Sequence, residues 1–339
     1  LHIELKARQL ITAIGIIIIL LVSSYFLLNE KRDTLIVYTA DAYAVESSYM
    51  LSNFSSIHGL AFTNPNTGGS FTLARQIAQG SQDDVFISVS KAAVSKSYLA
   101  GMYSGWAVAF ASDEMTIAYS NSSPAINKLI NLYQNAMQTD SNSSWAQFFY
   151  YLTSGSFRIG ISDPSSDPAG LRAWLTLEAA GLAYADNETL YVDRMINSNS
   201  NLTAANAAEL VAPLEAGQIQ ILFIYRSAAI SLGLSRFDLP ALINLGDPEL
   251  SSFYSELAWG TDNGLQRGAP ILLFITVPKG SKNYMLAMDF VSYIVNQNSA
   301  LTKFGLQPLN PCVAFNSSDL PSQLQSLVSS GKIILGGSL

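Results

Sequence analysis

The chain has 339 residues, of which 49% are hydrophobic and only 13% charged, and its formal net charge is −7. That length allows two packed units of roughly 150 residues each, and the lack of any basic block argues against nucleic acid as a partner. With so few charges, surface polarity must come from Ser, Thr, Asn, Gln and Tyr, and a surface of that kind is expected to respond little to pH.

Leu10 to Leu28 reads LITAIGIIIILLVSSYFLL, without charge or proline. As a helix rising about 1.5 Å per residue, it would span the ~30 Å hydrocarbon layer of a bilayer. Lys6 and Arg8 precede it and Lys31 and Arg32 follow, so the positive-inside rule gives no orientation. The run ends Tyr25-Phe26-Leu27-Leu28, a poor signal-cleavage site. The first residue is Leu1 rather than Met. Residues 1–33 are therefore expected to stay in the mature protein as a long hydrophobic helix, either a membrane anchor or the core of an assembly.

Beyond residue 33 the pattern is that of a water-soluble α/β protein. Leu35–Thr39 reads as a buried strand, Val45–Phe54 as a helix and Leu60–Thr63 as a second strand. Gly68-Gly69-Ser70 opens a helix to Ala78, and Asp84–Ser88 is a third strand. This βαβαβ alternation implies a parallel sheet covered by helices. Trp106–Ala111 and Met115–Ser120 read as strands around a crossover, and 125–153 as helical. Arg158–Ile161 is a strand running into SDPSSDPAG, with a helix following to about Ala180. Residues 186–204, rich in Asn and Ser, read as a surface excursion. Ala205–Ala216 is helical, Ile219–Tyr225 and Pro270–Pro278 are strands, Tyr284–Val295 is a helix, and 322–339 closes on the surface.

Asn-X-Ser/Thr sequons at Asn53, Asn121, Asn142, Asn187, Asn201 and Asn316 favour an exported, glycosylated protein. Cys312 is the single cysteine and reads as a small buried apolar residue. The only histidines are His2 and His58, and there is no catalytic triad, zinc motif, P-loop or dinucleotide fingerprint. Carboxylates are scattered, with no pair visible across a cleft. The sequence points to neither an enzyme nor a metal or cofactor protein. Gly68-Gly69-Ser70 could turn backbone N–H groups and a hydroxyl toward an anion, or be a plain turn with Ser70 as N-cap. Asp167-Pro168 suits an ordinary helix start. Tyr225, at a strand end, suits a core tyrosine with its hydroxyl tied to backbone.

Together these stretches resemble the archaeal molybdate/tungstate-binding protein family, the receptors of an oxyanion ABC importer. The likeness is carried by LIVY at 35–38, GGS at 68–70 with TLARQIAQG, DVF at 84–86, GISDPSSDPAGLRA, LEAGQIQILFIYRSAAISLGL, GAPILLFITVPKG and FGLQPLNP. It covers 34–312. It implies a two-lobed periplasmic-binding-protein-like α/β fold (type II), with lobe 1 formed by 34–111 plus 236–339 and lobe 2 by 112–235. It also implies an oxyanion, molybdate or tungstate, held between the lobes as ligand rather than cofactor. Of the family's ligand positions, the second serine matches Ser70, the aspartate Asp167 and the tyrosine Tyr225. The first serine falls on Ala42, with Asp41 replacing the preceding glycine, and the glutamate falls on Ala207 or close to it. Glu209 lies two residues on and would face another side. Asp41 beside a dianion is expected to repel it.

Leu1-His2-Ile3-Glu4-Leu5 loosely resembles the start of a type IV pilin. Two functions follow. The first is a subunit of an extracellular archaeal filament, with copies packing through the N-terminal helix and a head whose ligand site has eroded. The alternative is a membrane-anchored oxyanion receptor for an ABC transporter. Both place the head outside the cell, at its surface.

Overall fold

The computed structural model describes residues 33–262, 264–316 and 320–339. The apolar stretch Leu10–Leu28 lies outside these residues, as do the pilin-like start and His2. Among the described residues no helix is long and apolar enough to cross a membrane.

Two sheets organise the chain. The larger has seven strands in the order Ile333–Leu335, Gln307–Asn316, Trp106–Ser112, Leu272–Thr276, Val85–Ser88, Val37–Ala40, Asn66–Gly68. The βαβαβ start is parallel as expected: Val37–Ala40 runs parallel to both Asn66–Gly68 and Val85–Ser88. Leu272–Thr276 then pairs antiparallel on both its sides, so the sheet is mixed. Val85–Ser88 and Trp106–Ser112 are buried along their whole length. They can be apolar on both faces because helices cover both sides. Ala44–His58 is one of these helices. It buries Met50, Leu51 and Phe54 and stops at Gly59, whose φ of 67° is the left-handed conformation that glycine adopts without strain.

The smaller sheet has five strands in the order Asn201–Leu202, Ile159–Gly160, Ile221–Tyr225, Met115–Tyr119, Arg236–Asp238. Helices Ala125–Thr139, Asn142–Leu152 and Pro168–Ala185 pack with it. Between them sits an aromatic cluster in which Trp145 meets Phe148, Phe149 and Tyr184. The segment 125–153 thus forms two helices. Ser141 caps the second by accepting a hydrogen bond from the Ser144 N–H at 3.3 Å.

Several local expectations change. Leu60–Thr63 is not a strand; the edge strand is Asn66–Gly68. The 186–204 excursion contains a helix, Leu190–Ser198, which buries Tyr191, Val192 and Met195. The 322–339 end adds a helix and a strand, and that strand pairs parallel with Cys312–Ala314 at the sheet edge. Cys312 is buried, and burial pushes its thiol up to about 12. A hairpin, Ala258–Thr261 with Gly264–Arg267, stands apart from both sheets. Its Trp259 stacks on Trp174 of helix Pro168–Ala185, with ring centres 4.7 Å apart and planes 2° from parallel. Near its tip, the Asp262 N–H donates to the Ser165 hydroxyl at 3.1 Å. Asn121, Asn142, Asn187 and Asn201 are exposed, while Asn53 and Asn316 are partly so.

The chain passes between the sheets at Asp113–Glu114 and again after Arg236–Asp238. The first crossing is pinned. Buried Asp113 accepts from the Tyr43 hydroxyl at 3.0 Å, the Ser227 hydroxyl, and the backbone N–H groups of Glu114 at 2.8 Å and Ser227 at 3.3 Å. Beside it Arg226 pairs with Glu114 at 3.1 Å.

Candidate functional site

The five positions singled out by the sequence converge between the two sheets. Ser70 begins the helix Ser70–Ala78 on the larger-sheet side and is fully buried. It does not cap that helix; the preceding Gly69 holds the cap position. The Ser70 oxygen instead accepts from the Val89 N–H at 3.2 Å. Its hydroxyl proton is thereby left to donate elsewhere.

The glycine just before this serine has a steric reason. A Cβ at Gly69 would lie 2.6 Å from the carbonyl oxygen of Ser166. That carbonyl comes from the loop before helix Pro168–Ala185, on the smaller-sheet side. Only a residue without a side chain lets the two backbones meet.

Asp167 caps that helix, with Oδ1 accepting from the Ala169 N–H at 3.1 Å. Its Oδ2 accepts from the Ala207 N–H at 2.9 Å. At the position where the resemblance expects a glutamate, this chain therefore presents a backbone donor, and the Asp167 carboxylate takes it. Burial pushes the Asp167 carboxyl up, while the Ala169 and Ala207 N–H groups and the Arg172 guanidinium hold it down. Glu209 is exposed and turned to a local task. It accepts from Asn206 Nδ2 at 2.9 Å and the Ala205 N–H at 3.3 Å.

Tyr225 ends its strand fully buried and stacks on Tyr43, with centroids 5.7 Å apart. Its hydroxyl is tied not to backbone but to a side chain: Arg172 Nη1 donates to it at 2.6 Å. A phenol oxygen that accepts from a guanidinium keeps its own proton for a further acceptor. Burial raises the Tyr225 pKa well above the ordinary tyrosine value, so it stays protonated.

Arg172 was not singled out in the sequence. The available signal was a lone cation inside the apolar helical run PAGLRAWL. Its second donor, Nη2, reaches the Val89 carbonyl at 2.6 Å, so this one guanidinium joins the smaller-sheet side to the larger. Only 8% of the residue is exposed, and among the described residues no carboxylate lies at ion-pair distance from it. It also borders a cavity of about 440 Å³ whose wall includes Lys91, Arg267, Pro168, Phe71 and Phe315. Burial lowers the Lys91 pKa.

Asp41 and Ala42 occupy a tight turn after strand Val37–Ala40, packed against the Ala207–Leu210 turn. Asp41 Oδ1 accepts from the Ala42 N–H at 2.8 Å. Its Oδ2 is buried without a hydrogen-bond partner among the described residues. Burial, reinforced by the charge of Asp167, raises the Asp41 carboxyl to about 8. Scattered in sequence, Asp41 and Asp167 thus face each other electrostatically in space. Below that pH Asp41 is a neutral acid, so the repulsion expected of a fixed charge does not apply there. Among the described residues no cluster of His, Cys, Asp and Glu could hold a metal ion.

Two α/β sheets, with the buried hydroxyls of Ser70 and Tyr225 and the Arg172 guanidinium between them, are the arrangement of a protein that holds a small solute. The chain belongs to the bacterial extracellular solute-binding protein family, whose pattern matches residues 36–307. It is a binding protein of solute transport, not an enzyme, and acts outside the cytoplasm. A solute-binding protein of Sulfurisphaera tokodaii is 38% identical over 89% of this chain and 82% of its own length. The molybdate/tungstate-binding protein WtpA of Thermococcus kodakarensis is 24% identical over 91% of each chain. Among solved structures, the periplasmic molybdate-binding protein of Azotobacter vinelandii superposes with a TM-score of 0.58 at 16% identity. That match covers 80% of this chain and 98% of the other, and shows the shared fold. These comparisons support the receptor reading and lend nothing to a filament subunit.

Proposed function

We propose that this protein is the receptor of an ABC importer for a tetrahedral oxyanion of the molybdate or tungstate kind. The observation that carries the reading is Arg172, a buried guanidinium that joins both sides of the cleft and, among the described residues, has no carboxylate at ion-pair distance. A buried positive charge of this sort calls for an anion close by. Ser70 and Tyr225 each keep a proton to donate, which suits an oxyanion and not a cation. Lys91 and Arg267 beside the outer cavity would draw an anion inward. The chain divides into two lobes built on the two sheets, with Asp113–Glu114 at one connection and Gly69 against Ser166 marking the closed contact.

Titration calorimetry of the protein with tungstate, molybdate and sulfate at pH 6 tests the proposal. Sub-micromolar binding of tungstate or molybdate is expected, and absence of binding by all three would remove it.

A further inference from the structure

We propose that the cleft takes its oxyanion together with one proton, held between the Asp41 Oδ2 atom and a ligand oxygen. The inference rests on the receptor reading and adds a proton to it. Four observations converge. Asp41 Oδ2 is buried and has no partner among the described residues, so it is open to one. Its sister oxygen is already engaged by the Ala42 N–H. The turn that bears it carries Ala42, which has no side-chain donor, so Asp41 is the group in that turn able to bond a ligand oxygen through its side chain at the cleft. Asp167 has both oxygens engaged by backbone N–H groups, so of the two carboxyls only Asp41 has an oxygen left to share a proton with a ligand.

The proton balance is simple. Below about pH 8 Asp41 already carries the proton and donates O–H to the anion. Above it, the free site holds a carboxylate, and binding draws one proton from solution to complete the O–H···O bridge. No bond other than that to hydrogen changes.

The charged and titratable groups around Asp41 come from four elements. On the Ala207–Leu210 turn the charged residue is Glu209, which is exposed and bonded to Asn206. Arg226 begins the next helix against the turn and is paired with Glu114. Helix Pro168–Ala185 contributes Asp167, its cap, and Arg172. In the helix that follows the turn, Glu46 is buried and accepts from the Ser231 hydroxyl at 2.8 Å. Burial raises Glu46 to about 7, and it raises the Asp167 and Asp113 carboxyls as well, so these three are the alternative proton carriers. His58 is exposed at the far end of that same helix.

The test is titration calorimetry of the full chain with tungstate at pH 6 and pH 9, each in two buffers of different ionisation enthalpy. Near one proton taken up per anion is expected at pH 9 and near none at pH 6. Affinity should fall about tenfold per pH unit above pH 8. Asp41→Asn should abolish the uptake and flatten the pH profile, while Glu46→Gln should leave both as they are. Tight binding by the unaltered chain with no proton uptake at pH 9 overturns the proposal and spares the receptor reading. Uptake that persists in Asp41→Asn also overturns it, whichever neighbouring carboxyl then carries the proton. No tungstate binding at either pH overturns both.

Discussion

Asp113 and Asp41 are both acids placed just past the end of a strand of the larger sheet; Asp113 is buried whole and Asp41 is half-buried with its Oδ2 out of water, and they are built differently. Asp113 accepts four hydrogen bonds, from Tyr43, Glu114 and both donors of Ser227. Asp41 accepts one, from its own neighbour, and its other oxygen has no hydrogen-bond partner among the described residues. A buried polar group left unsatisfied costs about 1–3 kcal/mol. The crossing between sheets removes that cost, whereas the cleft keeps it. The contrast separates a carboxylate that fixes the scaffold from one that waits for something outside the chain.

The contrast can be broken most directly at Asp113. Asp113→Ala would strand the Tyr43 and Ser227 donors and should destabilise the fold by about 3–5 kcal/mol, read by urea unfolding. A loss below 1 kcal/mol would mean that the network is not structural. Gly69→Ala is the next largest change, and it acts on the cleft. At φ −61° alanine is unstrained there, so only the clash with Ser166 matters. Oxyanion binding should weaken at least tenfold, about 1.4 kcal/mol, with the unfolding midpoint nearly unchanged. Unaltered affinity would show that the contact between these two backbones is not needed for binding.

A third expected effect extends the comparison across the whole interior. Glu46, Asp83 and Glu178 are buried, each has a carboxylate oxygen without a partner, and burial raises each to about 7. Their folded pKa lies above the unfolded value, so folding takes up protons in between. The stabilisation is complete below about pH 4 and is lost as pH rises through 7. The thermal midpoint should therefore fall by roughly 3–6 °C between pH 5 and pH 7.5. A midpoint that rises over that range would place these acids, ionised, in contact with cations.

Much of the fold is legible because its core strands are short apolar runs. LIVY and DVF could hardly be anything else, and the GGS turn announces the helix it opens. What stayed hidden depends on partners distant in sequence. Gln307–Asn316 contains Pro308 and Pro311, which argue against a strand. It pairs all the same, because the ladder shifts register between Pro308 and Val313 and passes around them. Helix Leu190–Ser198 is masked by Asn and Ser on every side, though Tyr191, Val192 and Met195 form its buried face.

At the site, residue types at Ser70, Asp167 and Tyr225 were readable, and their hydrogen bonds were not. The sequence makes Asp41 a negative charge, and only burial next to Asp167 makes it an acid near neutrality. The expectation of little response to pH concerned the surface, whereas the carboxyls whose pKa is raised lie inside.

The stacked indoles of Trp174 and Trp259 have a practical consequence. Two parallel indoles 4.7 Å apart exchange excitation, so the protein carries its own optical signal. One ring sits on the helix that Asp167 caps, and the other on the hairpin whose tip holds Ser165. Any rearrangement of that loop around a guest should change the pair's circular dichroism and fluorescence. Occupancy of the cleft could then be followed without a label, in a chain whose expected guest is colourless.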